Sequence, residues 1–290
     1  MTSEPPAPGG RPVSSPPQAG PRRGPPGSVL QRMDKGGIRH VVAVGSGKGG
    51  VGKSTVTALL AAELVRQGRS VGILDADITG PSIPKLLGLP GPLVDRGEGI
   101  EPAKSRAGIS VVSSQFMVED EQTPVIWRGP LVTRLITQFF GSVHWGTLDY
   151  LLIDMPPGTS DVPLTVFQTI PIDGMLFVLT PQDLAALIVK KAMNMARELH
   201  VPLLGLVENM SWVTCPHCGQ QIDLFGPGRV AKIAEEYGIP VLGRLPIVPA
   251  VSELSDAGHV DEHTSPIVTA LGAAFEKAVA DVTSGASTVL

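Results

Sequence analysis

The chain is short of cysteine, of basic charge and of long apolar runs, and each shortage removes a class of protein. Two cysteines in 290 residues, Cys215 and Cys218, cannot build the disulfide framework of a secreted domain. Lys and Arg total 23 against 27 Asp and Glu, a net charge of −4 that argues against a general nucleic-acid binder. No apolar run reaches membrane-spanning length, and the N-terminus lacks a hydrophobic signal core. The expected compartment is the cytoplasm, with no membrane and no nucleic acid among the partners.

Hydrophobic residues make up 42% of a chain long enough to bury a sizeable core. The first 30 residues hold nine Pro and five Gly, so 1–35 reads as a disordered tail. Residues 36–283 read as the folded domain and 284–290 as a flexible end. Short, β-branched runs at 40–46, 70–77, 108–114, 149–155, 174–180, 203–209 and 239–245 suit fully buried strands. Helical stretches fall between them at 53–67, 130–140, 183–199, 228–237 and 266–282. That alternation predicts an α/β fold of three layers, with a mostly parallel central sheet flanked by helices.

The first strand runs into GKGGVGKST at 47–55, where Gly47, Gly52, Lys53 and Ser54 satisfy the phosphate-loop pattern between a strand and a helix. Glycines let backbone N–H groups turn inward on phosphates that also meet the positive end of the next helix. Lys53 is expected on the β- and γ-phosphates of ATP, and the Ser54 hydroxyl on Mg²⁺. Lys48 is a second lysine that a simple phosphate loop does not need. LDAD ends with Asp75 and Asp77 at the second strand end, and LLIDMPPG places Asp154 ahead of a Pro-Pro-Gly turn. Asn209 in VENM ends a later strand with an amide suited to a base edge. Singly, each is equally a helix cap or a turn residue; four on one sheet are not.

The stretch WVTCPHCGQQ (212–221) has three readings. A redox couple wants this motif early in a small thioredoxin-like domain, which is not its place here. Structural zinc needs four ligands, and one chain offers two. Inert packing does not suit so polar a stretch. Two chains with facing loops supply four thiolates, the ligand set of a [4Fe–4S] cluster, although four thiolates serve zinc as well.

An extra lysine before Gly-Gly resembles the deviant Walker A ATPases, the class of MinD, ParA and the nitrogenase iron protein. In that class the residue corresponding to Lys48 reaches the partner subunit's nucleotide. The wider set GSGKGGVGKST, LDADITGPSIPKLLG, VIWRGPLV, DYLLIDMPPGTSDVPLTV, TPQDL, VENMSWVTCPHCG and GRLPIVPAVSELSDAG resembles the Mrp/ApbC iron–sulfur cluster carrier ATPases over residues 36–282. This resemblance implies a homodimer that hydrolyses ATP slowly with Mg²⁺, takes a cluster from an assembly scaffold and passes it to apoproteins. It assigns Gly47, Lys48, Gly49, Gly50, Val51, Gly52, Lys53, Ser54 and Thr55 to the nucleotide, with Asn209 beside them. Lys48, Lys53, Asp77 and Asp154 become the catalytic set, with Asp77 orienting the attacking water. Ser54 and Asp154 support Mg²⁺, while Cys215 and Cys218, in the loop 210–226, ligate the cluster. The chain departs from the family at Ser160, usually Gly, and at Ile188, usually Asp. A MinD- or ParA-like positioning ATPase would want a basic DNA surface or a C-terminal amphipathic anchor, yet the last helix carries Lys277 as its only basic residue. A non-catalytic scaffold with an interfacial zinc site is the remaining alternative.

Overall fold

The computed structural model describes residues 33–285 apart from 79, 92, 94–98, 118–128, 160 and 227. The tail expected over 1–35 therefore lies, up to residue 32, outside the described residues, as do Ser160 and the terminus from 286. In chain order the elements are β1 (Ile38–Ser46), α1 (Lys53–Arg66), β2 (Val71–Asp75), α2 (Ile83–Leu86), β3 (Ala103–Lys104) and β4 (Ser110–Ser113). They continue with α3 (Gly129–Gly141), β5 (Leu148–Asp154), α4 (Asp161–Thr169), β6 (Gly174–Leu179), α5 (Asp183–Glu198) and β7 (Leu203–Glu208). Last come β8 (Val213–Thr214), β9 (Gln221–Ile222), α6 (Val230–Tyr237), β10 (Val241–Arg244), α7 (Pro249–Ala257) and α8 (Pro266–Thr283).

Eight strands form one sheet in the order β10-β7-β6-β1-β5-β2-β4-β3, parallel throughout except for β3 against β4. Because successive side chains of a strand point to opposite faces, each strand feeds two cores. Val41 and Ala43 of β1 and Leu151 and Ile153 of β5 pack with α3, α4, α5 and α6. Val42, Val44, Tyr150 and Leu152 pack on the other side with α1, α2 and α8. The expected three-layer α/β architecture is the one observed.

Strand and helix positions agree with the sequence reading to within a few residues. What the periodicity missed was short or began with proline. Helix α4 carries Pro163 in its first turn just after a Pro-Pro-Gly stretch, a composition that reads as loop. Helix α7 has Pro249 at its start, ends on the left-handed Gly258 and is short, with Val251 and Leu254 as its only large apolar residues. The two-residue strands β8 and β9 are too short for any period to register.

Strand order reverses at β1, whose neighbours are β5 on one side and β6 on the other. In open parallel sheets this reversal leaves a crevice at the C-terminal strand ends, where ligands bind. The phosphate-loop sequence follows β1 directly.

Core packing on the α8 side is close enough to test. Phe275→Ala removes a fully buried ring and is expected to lower unfolding stability by about 3–5 kcal/mol. Leu131→Ala, on an exposed position, should stay within about 0.5 kcal/mol. Guanidinium unfolding midpoints of the two variants check the contrast.

Candidate functional site

Between β1 and α1 the chain turns on glycines. Gly50 and Gly52 sit at φ of 77° and 78°, a region side chains rarely adopt. Gly47 is required for a different reason. A Cβ there would lie 2.5 Å from the Val189 nitrogen and 2.8 Å from the Ile188 carbonyl carbon, so the loop backs directly onto α5. Ile188, the departure from the family pattern, thus meets the loop through its backbone. From outside, Ser46 Oγ donates to the Lys48 carbonyl at 3.0 Å, and Asn209 Nδ2 donates to the Val51 carbonyl at 2.9 Å. Val51 is buried, while Gly49 and Gly50 face solvent.

Asp154, fully buried at the end of β5, is the centre of the site. Its Oδ2 accepts from Lys53 Nζ at 2.7 Å and from Ser54 Oγ at 2.6 Å; its Oδ1 accepts from Thr57 Oγ1 at 2.9 Å. Lys53 Nζ also lies 3.9 Å from Asp77 Oδ2. The first turn of α1 therefore holds lysine, serine and threonine on one buried carboxylate. Periodicity puts Thr57 on one helical face with Leu60 and Leu64, but its i+4 spacing from Lys53 also sets it beside that lysine.

Asp75 ends β2 directly beside Asp154 in the parallel register. Its Oδ2 accepts from Ser113 Oγ at 3.0 Å and from the Ile83 N–H at 3.4 Å, and its Oδ1 accepts from the Asp77 N–H at 3.2 Å. Asp75 thus braces the backbone that carries Asp77. Burial, followed by the Asp154 charge, pushes the Asp75 carboxyl up to about 8.

Lys48 Nζ donates to Gln182 Oε1 of its own chain at 2.8 Å. No chemistry had been assigned to Gln182, and nothing in its spacing marks it. Asn209 thus commits one N–H of its amide to the loop carbonyl. Beside Gly52, Thr55 and Asn209 opens a cavity of about 490 Å³, largely apolar, walled by Met210, Leu245 and Ile247.

Five residues beyond Asn209's neighbour Met210, the thiols sit in the turn of the β8–β9 hairpin. The Gly219 N–H donates to the Cys215 carbonyl and the Cys215 N–H to the Gln220 carbonyl, both at 2.9 Å. Both cysteines are free, and Cys218 is exposed. The backbone N–H groups of Cys218 and His217 point at the Cys215 sulfur and hold its thiol below the usual value. Among the described residues no group of three or more His, Cys, Asp or Glu is placed to hold a metal ion. The hairpin root is tied down firmly. Ser211 N–H donates to the Leu245 carbonyl and Ile247 N–H to the Trp212 carbonyl. Ser211 Oγ and Arg244 Nε both donate to Oε2 of the buried Glu208.

A glycine loop at the strand-order reversal, followed by Lys-Ser on a helix and a carboxylate on the neighbouring strand, defines a P-loop NTPase. The family described as ParA, NUBPL iron-transfer P-loop NTPase, matches residues 37–282, and the chain belongs to it. Proteins called iron-sulfur cluster carrier protein from Aquifex aeolicus and Methanocaldococcus jannaschii are each 49% identical over 232 residues, 79% of this chain. The match spans 64% of the Aquifex protein, under two thirds, and 79% of the Methanocaldococcus protein. A nucleotide-binding protein from Archaeoglobus fulgidus, solved with ADP, is 47% identical with a TM-score of 0.72, covering 80% of this chain and 91% of its own. The Pyrococcus furiosus cell division ATPase MinD, 21% identical with a TM-score of 0.59, covers 82% of this chain and 98% of its own and shares the fold.

The raised Asp75 carboxyl has a pH signature. A carboxyl raised in the folded state keeps a proton that the unfolded chain gives up near 3.8, so stability falls as pH rises toward about 8. The lowered histidines His40 and His263 act in the opposite sense and only below about 6.5. Without nucleotide or magnesium, the parent is expected to lose about 1 kcal/mol per pH unit between pH 7 and 8 through this group. Asp75→Asn should melt lower at pH 7, since an amide nitrogen would face a donor, yet lose less on going to pH 8.5. Melting curves across that range decide it.

Proposed function

We propose that this chain is an ATP-hydrolysing iron–sulfur cluster carrier that works as a homodimer in the cytoplasm. It would take a [4Fe–4S] cluster from an assembly scaffold and deliver it to apoproteins. The observation that carries this reading is an asymmetry within one chain. The phosphate site is complete, but the two-thiol hairpin is half of a four-ligand site. The names of the Aquifex and Methanocaldococcus relatives and the ADP on the Archaeoglobus relative support it.

The residues at Asp154 fit Mg²⁺. Ser54 Oγ and an Asp154 oxygen meet at 2.6 Å, two hard oxygen donors beside the phosphate loop. When bound, Mg²⁺ supplies positive charge to the β- and γ-phosphate oxygens. The chain does the rest. Backbone N–H groups from Gly49 to Thr55 receive the phosphates at the start of α1. Lys53 exchanges Asp154 for phosphate oxygens, a short move for a group already poised there. Asp77, next to Lys53 and braced by Asp75, holds the attacking water in line. Adenine enters the cavity beside Thr55, with its amino group toward Asn209 Oδ1. Lys48 releases Gln182 and crosses to the partner's nucleotide.

In the cluster reaction the iron–sulfur group is cargo. Each thiol gives up its proton on ligation, and the backbone N–H groups aimed at Cys215 favour the thiolate. With only two bonds from each subunit, separation of the dimer frees the cargo.

Two measurements test the reading. Anaerobic reconstitution is expected to give about four iron and four sulfide per dimer, and none after Cys215→Ser or Cys218→Ser with ATP binding retained. Zinc without sulfide, or a whole cluster on a strict monomer, would overturn the carrier assignment. In equilibrium binding, Lys53→Ala should weaken ATP by about 10- to 100-fold, as loss of charge-assisted hydrogen bonds implies. Lys48→Ala should leave affinity nearly unchanged while hydrolysis stops. Equal weakening in both variants would rule out a cross-subunit Lys48.

A further inference from the structure

Large apolar side chains that stay exposed on a soluble protein are informative when they gather in one place. In this chain three of them gather immediately after the thiols. Ile222 is 45% exposed, Leu224 54% and Phe225 41%. Ile222 lies on β9, opposite Val213 of β8, and Leu224 and Phe225 form the turn that follows, closed by the Gly226 N–H on the Asp223 carbonyl. Across 209–228 the one carboxylate is Asp223, and Lys and Arg do not occur before Arg229. A surface so nearly neutral and apolar repels neither itself nor an apolar partner.

We propose that Ile222, Leu224 and Phe225 form an apolar collar that a second copy of this chain covers when the hairpins meet around the shared cluster. This rests on the carrier reading and goes beyond it by naming the residues that shield the cargo. A second copy is the occupant because the same hairpin presents half a ligand set. Cys215 and Cys218 have no third ligand of their own chain near enough to complete a metal site among the described residues. An identical hairpin that supplies the missing thiolates carries the same three apolar residues, which follow its own thiols by only a few positions. The two-fold contact is then self-complementary, apolar against apolar.

Scale gives this contact its character. A stable interface buries about 800 Å² on each partner, far more than three side chains on one hairpin offer. The collar therefore does not hold two empty chains together. It closes over a cluster already bridging them, excluding water and oxidants, and opens when the cluster leaves. Cargo-dependent closure is what a carrier requires.

The test compares the parent with Leu224→Gln/Phe225→Gln, and with Phe225→Leu as the conservative control. All are reconstituted anaerobically with iron and sulfide. Parent and Phe225→Leu are expected to sediment as dimers when loaded and to bleach slowly in air-saturated buffer. The double variant should bleach about tenfold faster or more, the effect of losing two buried apolar side chains. Unchanged melting temperature and ATP affinity would show that it is folded, as expected for exposed positions. A double variant that loads, dimerises and bleaches like the parent would overturn the collar while leaving the carrier reading intact. A parent that takes up no cluster would overturn both, and that outcome is read from the parent alone.

Discussion

The site depends on one buried carboxylate. Asp154 has no exposure, and its buried carboxyl oxygens are satisfied by Lys53, Ser54 and Thr57, which all turn toward it. A buried carboxylate without partners would be neutralised or would destabilise the fold by several kcal/mol. That requirement fixes the first turn of α1 against the end of β5, and so fixes the phosphate loop that precedes α1. It also places the lysine. Lys53 Nζ is held between Asp154 and Asp77, at the start of the helix that follows the glycine loop.

The second carboxylate of the pair has the opposite fate. Asp75 neighbours Asp154 in the sheet, and two adjacent buried carboxylates with one nearby lysine do not both stay ionised. Asp75 takes the proton and becomes a bracing group for Ser113, Ile83 and the backbone of Asp77. Adjacent strand ends thus divide the work: one carboxylate holds Lys53, Ser54 and Thr57 of α1, and the other shapes the loop that carries Asp77.

Nucleotide loop and thiol hairpin are joined by a short, well-anchored stretch of chain. Asn209 holds the Val51 carbonyl, the cavity beside it is walled by Met210 and Ile247, and Ile247 bonds the backbone of Trp212 at 2.7 Å. Three residues later comes Cys215. Ser211 and Arg244, both donating to Glu208, tie that stretch to the end of β7. The loop after the central strand β1 and the hairpin near the β7–β10 edge are thereby linked through Asn209 and the residues that follow it.

Much of this was legible before any coordinates. Strand–helix alternation made the three-layer sheet readable, because fully buried parallel strands leave continuous apolar runs. The loop at 47–55 was readable because phosphate binding demands glycines, lysine and serine at set spacing. Two thiols two residues apart identified themselves by their rarity. Other features were decided only by tertiary structure. Thr57 and Gln182 acquired roles from Asp154 and Lys48, which are distant in sequence and close only across the sheet. Gly47 is indispensable because α5 happens to pack 2.5 Å from where its Cβ would be, a contact between residues more than a hundred apart. The exchange of roles between Asp75 and Asp154 likewise came from the register of β2 against β5. Local spacing encodes the chemistry a segment can perform; which groups are buried together, and which one keeps its charge, follows from long-range packing that no window of sequence contains.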